Sequence, residues 1–126
     1  MNGIKYLLDT CFIIRWHGQQ ADALGIIQQL DMQLSECAYS DISHAEIFSW
    51  HGLNQTDEQG LKYLLADLPR LAVSNRVIDD TIRIRRKHKI KLPDALILAT
   101  AKTYRLQLVT LDDKLQRIEK LEAERQ

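Results

Sequence analysis

The sequence predicts an α/β fold in which a central parallel sheet of about four to five strands is covered by helices on both faces. Two observations lead to this prediction. Short apolar runs typical of buried strands alternate along the chain with segments that repeat apolar residues at helical spacing. The 126 residues are 45% hydrophobic and 27% charged, so the chain can bury one core without disulfides or a structural metal. We therefore expect residues 1–126 to form a single domain.

The first part of the chain contains two predicted strands and three predicted helices. Residues 3–9 are apolar on both faces, as expected of a central strand, with Asp9 at the carboxyl end. A brief strand over residues 37–40 precedes a helix from about 43 to 51 that carries Glu46. Two packing helices are predicted from helical apolar spacing at Ala23, Ile26, Ile27, Leu30 and Leu34, and at Leu61, Leu64, Leu65 and Leu68 before Pro69.

The second part predicts two further strands and three helices. A weak strand over residues 71–73 leads to a helix that begins near Arg76. Pro93 suits the first position of the next helix, which places Asp94 in its first turn and makes the uncharged residues 95–101 an enclosed segment. A strand over 106–110 follows, Asp112 and Asp113 open a last helix, and the charged tail from 119 is expected to fray.

The charge of the chain is zero overall but unevenly placed. Residues 1–82 contain eleven acids and five bases, whereas residues 83–91 contain six bases and no acid. Attraction to a polyanion must therefore come from this local patch, and we expect phosphate contacts from Arg85, Arg86, Lys87 and Lys89. An ordinary solvated helix face is the alternative interpretation of the same run.

Cys11 and Cys37 lie in apolar sequence surroundings and have no metal-ligand spacing, which predicts two small buried side chains of a reducing compartment. The N-terminus reaches an acid too early for a signal peptide, and no apolar run is long enough to cross a membrane. These features predict a cytoplasmic protein without membrane association.

Four acids are expected to converge at one edge of the sheet. Ligands of parallel sheets bind beyond the carboxyl ends of the strands. Asp9 and Asp112 follow predicted strands there, and Glu46 and Asp94 lie in early turns of helices that leave the same edge. Like charges at short distance are unfavourable without a counter-ion, and an oxygen-only donor set favours Mg²⁺ or Mn²⁺. The chemistry implied is metal-assisted hydrolysis of a phosphodiester.

Each acid also has a simpler interpretation. Asp94 and Asp112 can be helix N-caps, and Glu46 can be a surface residue. Asp9 differs, because apolar residues surround it in the sequence and an unpaired buried carboxylate is costly.

These residues resemble the motifs of the PIN-domain nucleases, particularly the VapC-like toxins of bacterial toxin–antitoxin pairs. The likeness covers most of the chain and is carried by four segments in order: Leu-Leu-Asp9-Thr10, His-Ala-Glu46-Ile, Leu-Pro-Asp94-Ala, and Leu-Val-Thr110-Leu-Asp112. Two positions depart from the pattern, namely Cys11, where Asn or Ser is common, and Leu115, where an aromatic residue is common.

The resemblance implies a three-layer α/β/α fold and RNA cleavage by Mg²⁺ or Mn²⁺ held by the four acids. It also implies dimerisation and inhibition by a small cognate antitoxin. Thr10 and Thr110 fit as hydroxyls that orient the carboxylates. Asp113 lies beside Asp112 and leaves the fourth acid open between the two, although the spacing from Thr110 favours Asp112.

Two other functions compete with this one. Pro93-Asp94 with Asp112-x-Lys114 satisfies the loose pattern of restriction-type metal-dependent nucleases, whose acids usually lie on adjoining strands. A catalytically silent PIN-fold binding module is the second alternative, and the intact acidic set disfavours it.

Overall fold

A computed structural model describes residues 3–123 of the chain. Within this range four strands pair in parallel, in the order β3-β2-β1-β4: β1 (Tyr6–Leu8), β2 (Cys37–Ser40), β3 (Arg70–Leu71) and β4 (Gln107–Val109). The predicted parallel sheet is confirmed, with β1 at the centre and β4 at one edge.

Helices fill the connections between the strands. The described residues form α1 (Thr10–His17), α2 (Ala21–Leu30), α3 (Asp41–Phe48), α4 (Gln55–Leu65), α5 (Asn75–Lys87), α6 (Leu92–Thr103) and α7 (Asp113–Ala123), with a short 3₁₀ turn over Leu34–Glu36. None of these helices is long and apolar enough to cross a lipid bilayer.

Two apolar cores lie on opposite faces of the sheet, which gives the three layers. Successive side chains of a strand point to opposite faces. Leu7 accordingly packs with α5, α6 and α7, through residues such as Ile84 and Leu98, while Leu8 packs with the helices of the first half, through residues such as Phe12 and Leu61. The predicted α/β/α sandwich is confirmed.

Very short strand-to-helix turns bring helix N-termini to the carboxyl edge of the sheet. Asp9 alone separates β1 from α1 and is the N-cap of α1. Ser40, the last residue of β2, is the N-cap of α3 and accepts a hydrogen bond from the Ser43 N–H at 3.0 Å. The residues that follow the strands therefore share one rim.

Several sequence-based boundaries needed correction. Helix α1 was not predicted, because its apolar residues continue directly from a strand and only the Asp9 cap marks the change. Helix α3 begins at Asp41, Leu34 belongs to the 3₁₀ turn, and Pro93 is the second residue of α6.

The expected fraying from residue 119 is wrong for the described part of the tail. Helix α7 continues to Ala123, because Glu119 accepts a hydrogen bond from the Leu108 N–H and Glu122 is buried with three partners. Residues 124–126 of the predicted frayed tail lie outside the described residues.

Candidate functional site

Asp9 is the buried centre of the acidic rim. The pairing of Leu8 with Val109 places Asp9 beside Thr110, one residue beyond the strands. The Thr110 hydroxyl donates to Asp9 Oδ2 at 2.7 Å, and the Thr10 N–H donates to Asp9 Oδ1 at 2.8 Å. With 5% of its surface exposed, the carboxylate is fixed by these two local donors.

Burial raises the pKa of Asp9 above its ordinary value. The hydrogen bonds from Thr110 and Thr10 act in the opposite direction, while the charges of Asp94 and Glu46 raise the pKa further. No ion pair with Asp9 forms within residues 3–123. The site therefore holds a carboxylate whose charge is only partly compensated.

Glu46 is tied to Asp9 through one threonine. Thr10 Oγ1 lies 2.7 Å from Glu46 Oε1 and 2.8 Å from Ser43 Oγ. An ionised carboxylate only accepts, so the single Thr10 proton is donated to Glu46 and Ser43 donates to Thr10. Ser43 is fully buried and was missed in the sequence; the only signal was its place three residues before Glu46.

Asp94 and Asp112 complete the rim from the other core layer. Asp94 lies half-buried in the first turn of α6, so it is not the N-cap, a position that Lys91 occupies. Burial raises its pKa, and so do the charges of Asp112 and Glu46, while Lys91 and Lys114 act in the opposite direction. Asp94 is therefore affected by Asp112 and Glu46, and Asp9 by Asp94 and Glu46, which links the four acids electrostatically.

Asp112 has a structural role as well as a place in this group. Its Oδ1 accepts a hydrogen bond from the Leu115 N–H at 3.0 Å, which caps α7, and its own N–H donates to Thr110 Oγ1 at 3.1 Å. Thr110 thus contacts both Asp9 and Asp112. The neighbouring Asp113 is the exposed first residue of α7.

The donor chemistry of the rim fits a hard divalent cation, since all four candidates are carboxylates. Among residues 3–123, however, no three acidic, His or Cys side chains already stand close enough together to enclose a metal ion. Asp9 is held in place by Thr110 and Thr10, whereas Glu46 and Asp112 are exposed.

A basic recess adjoins the rim. It has a volume of about 430 Å³ and is lined by Arg85, His88, Lys89, Ile90, Lys91 and Lys114. Two of the four predicted phosphate-binding residues, Arg85 and Lys89, are in this recess, whereas Arg86 and Lys87 are exposed elsewhere on α5. Lys91, which ends the basic run, was not predicted as a phosphate contact, and Lys114 was considered only as part of the restriction-type motif.

A second buried acid, Glu122, organises the other basic residues. Its carboxylate contacts Arg83 Nη1 at 2.7 Å, His88 Nε2 at 2.9 Å and Lys102 Nζ at 3.3 Å. Burial alone would raise the pKa of Glu122, but the hydrogen bonds from these three partners lower it to about 2. This cluster ties α5 and α6 to α7.

Cys11 does not match its prediction. The residue is exposed at the rim. Partial burial of its thiol, together with the charges of the four acids, raises the pKa of that thiol. Cys37 is buried, as predicted, and burial raises its thiol pKa to about 12. Cys11 is the second residue of α1, close to the Asp9 N-cap, and the charges of all four acids act on its thiol.

Comparison with known proteins identifies the family pattern. A family profile described as PIN domain matches residues 6–121. No curated protein matches the chain. A toxin–antitoxin complex from Klebsiella pneumoniae contains a chain that is 27% identical, with a TM-score of 0.75 over 87% of this chain and 88% of that one.

Two further solved structures share the fold. FitAcB from Neisseria gonorrhoeae is 23% identical with a TM-score of 0.69, and VapBC2 from Rickettsia felis, bound to a promoter DNA fragment, is 20% identical with a TM-score of 0.73. Each likeness covers 91% of this chain and 93% of the other.

Proposed function

Since the chain belongs to the PIN domain family, we propose that it is a metal-dependent endoribonuclease, the toxin of a toxin–antitoxin pair. The observation that supports this most directly is the acidic rim, where the charges of Asp94 and Glu46 act on the buried Asp9 and those of Asp112 and Glu46 act on Asp94. Like charges held at one edge of a sheet favour a divalent cation as their ligand. RNA is the substrate class that we infer for this rim.

The four acids are the proposed metal ligands, with Asp9 as the fixed one. Bound there, Mg²⁺ or Mn²⁺ would supply an activated water and offset charge on the scissile phosphate. The protein's own contribution is orientation: Thr110 and Thr10 hold both oxygens of Asp9, and Thr10 also holds Glu46. Asp112 keeps its Oδ2 available while Oδ1 caps α7.

Partners follow from the same proposal. The Klebsiella pneumoniae structure is a toxin–antitoxin complex, and we propose that a small cognate antitoxin binds this chain too. A homodimer and a cytoplasmic location complete the proposal. We propose that the RNA backbone is attracted by four exposed bases, namely Arg85, Arg86, Lys87 and Lys89.

The experiment is an RNA cleavage assay on the purified chain, free of antitoxin, with Mg²⁺, Mn²⁺ or a chelator. We expect cleavage only with metal, and a loss of at least about a thousandfold in Asp94→Asn, about 4 kcal/mol in the barrier. Asp79→Asn, which removes an exposed acid from α5, is the matched control and should cleave normally.

Asp112→Asn and Asp113→Asn separate the two candidates for the fourth acid. We expect the larger loss from Asp112→Asn, because Asp112 acts on Asp94 and contacts Thr110. Cleavage that persists in the chelator, or in Asp94→Asn at the rate of the parent chain, would contradict the proposal. Absence of any RNA cleavage would favour the silent binding module.

The geometry does not favour the restriction-type alternative. Asp94 and Lys114 lie in the first turns of helices α6 and α7, and not on adjoining strands. A lysine of that motif takes part in the chemistry, so Lys114→Ala should then lower kcat as much as Asp9→Asn does. Cleavage kinetics of Lys114→Ala, measured beside those of Asp9→Asn, make this comparison.

A further inference from the structure

We propose that the basic recess lined by Arg85, Lys89, Lys91 and Lys114 is a binding subsite for a backbone phosphate of the RNA next to the scissile bond. This inference rests on the proposed function and deepens it. It assigns two new residues, Lys91 and Lys114, and gives the recess one ligand chemistry, a phosphodiester.

The charges of the recess have no acidic partners of their own. Within the part of the chain that the structure describes, none of the four side chains forms an ion pair, and no acid lines the recess. Arg83, His88 and Lys102 differ, since all three engage Glu122. The basic residues of this region thus form two sets. One set is neutralised by Glu122, whereas the four bases of the recess have no ion-pair partner among the described residues.

Two of the lysines occupy positions that helix stability does not favour. Lys91 is the N-cap of α6 without a side-chain cap bond, and Lys114 is the second residue of α7. The positive end of a helix dipole repels a cation there, whereas it attracts anions. An anion bound in the recess would relieve the repulsion among the bases and complement both helix ends.

The position of the recess selects the ligand. Lys91 stands three residues before Asp94, Lys114 stands two residues after Asp112, and the charge of both reaches Asp94. A polyanion extended along this edge meets the acids and the recess in succession. A phosphodiester held by the bases would leave the adjacent phosphodiester at the acidic rim, which favours RNA over an acidic protein segment as the occupant.

Two details show how the recess is shaped. Arg85 Nε donates to the Ile90 carbonyl oxygen at 3.2 Å, which folds the segment after α5 back toward the helix. His88 is held by Glu122 at 2.9 Å. The recess wall is therefore fixed by contacts that leave the ammonium groups of Lys89, Lys91 and Lys114 available.

The test compares two double variants that remove equal charge. Lys91→Ala/Lys114→Ala removes two of the four bases of the recess. Arg117→Ala/Lys120→Ala removes two exposed bases of α7, the helix that carries Lys114, outside the recess. Binding of a short single-stranded oligoribonucleotide is measured by fluorescence anisotropy at several KCl concentrations in a chelator. Cleavage kinetics are measured with Mn²⁺.

For the recess variant we expect Kd to rise by about an order of magnitude and the slope of log Kd against log salt to fall by about 1.4, since each single-strand phosphate contact contributes about 0.7. KM should rise with little change in kcat, the pattern of lost ground-state binding. The Arg117 and Lys120 variant should keep the parent slope. Both variants alter exposed residues, and circular dichroism checks that they fold.

The other possible results distinguish failure of the phosphate subsite from failure of the nuclease proposal. Equal slopes in the two double variants, with the parent chain binding RNA, would overturn the subsite and leave the nuclease proposal standing. A parent chain that neither binds nor cleaves RNA would overturn both. A fall in kcat for Lys114→Ala as large as that of Asp9→Asn would replace the binding role with a catalytic one and support the restriction-type alternative.

Discussion

Asp9 and Glu122 are both buried carboxylates, with 5% and 2% of their surface exposed, but their surroundings are opposite. Glu122 meets Arg83, His88 and Lys102, and its pKa falls to about 2. Asp9 has two hydroxyl or amide donors and two acids near it, and its pKa rises. Burial alone therefore does not identify a functional acid; what distinguishes Asp9 is a charge that the described fold leaves only partly compensated.

This comparison predicts its largest effect in stability. Glu122→Ala should lower the free energy of unfolding by about 3 kcal/mol or more, because three bases lose a buried counter-charge. Asp9→Asn should change it by less than about 1 kcal/mol, since an amide keeps the cap on Thr10 and removes a repelled charge. Urea unfolding in the absence of metal measures both.

The effects of the two changes on cleavage activity should be the reverse of their effects on stability. Asp9→Asn should abolish cleavage, and Glu122→Ala should keep its activity per folded molecule at temperatures where it is folded. Glu58→Gln, an exposed acid paired with Lys62 on α4, is the control and should cost less than about 1 kcal/mol. Equal destabilisation by the Asp9 and Glu122 changes would remove the distinction between the two sites.

The pH dependence of stability should reveal Glu122. Its pKa is lowered from 4.5 to about 2 in the folded chain, so its contribution is complete above pH 4.5 and is lost as the pH falls toward 2. The difference in unfolding free energy between the parent chain and Glu122→Gln should be constant above about pH 5 and shrink below it. Urea unfolding at a series of pH values gives this difference. A difference that stays constant below pH 4.5 would mean that the three bases do not hold Glu122 ionised.

The sequence indicated that Asp9 is buried at the end of β1, but it did not indicate the ion-pair cluster around Glu122, for a physical reason. Asp9 owes its place to a local event, the end of an apolar strand, and parallel register then brings Thr110 beside it. The partners of Glu122 lie 39, 34 and 20 residues away, so the tail shows only charge, and charge alone suggests fraying.

The same reason explains the other differences at the site. Helix α1 was missed because its apolar residues extend a strand without a break in hydrophobicity, and the cysteine at its start was therefore placed in the core. The basic run suggests one continuous surface in the sequence, but the fold divides it into two groups. Arg83 and His88 contact the buried Glu122, whereas Arg85, Lys89 and Lys91 line the recess.

A smaller effect separates fixed from adjustable acids within the rim. Asp9 is held by donors on both oxygens, but Glu46 is exposed and is held within the described residues by the Thr10 hydroxyl, which is in turn supported by Ser43. Thr10→Val removes that hydroxyl and keeps the backbone N–H that donates to Asp9. We expect cleavage to fall by about 10- to 100-fold and the Mn²⁺ concentration for half-maximal activity to rise by a similar factor.

Thr10→Ser is the matched variant, since it restores the hydroxyl and should recover most of the activity and of the Mn²⁺ response. Thermal unfolding of Thr10→Ser without metal should remain close to that of the parent chain, whereas Thr10→Val should be less stable by about 1 kcal/mol, because valine leaves the buried Ser43 hydroxyl without this partner. If serine and valine lose activity equally, the methyl packing of Thr10 is what matters and Glu46 needs no positioning. If only valine loses activity, the proposed metal ion uses Glu46, an acid that the fold holds through the Thr10 hydroxyl. This weak hold explains why the rim can tolerate four like charges before a metal ion binds.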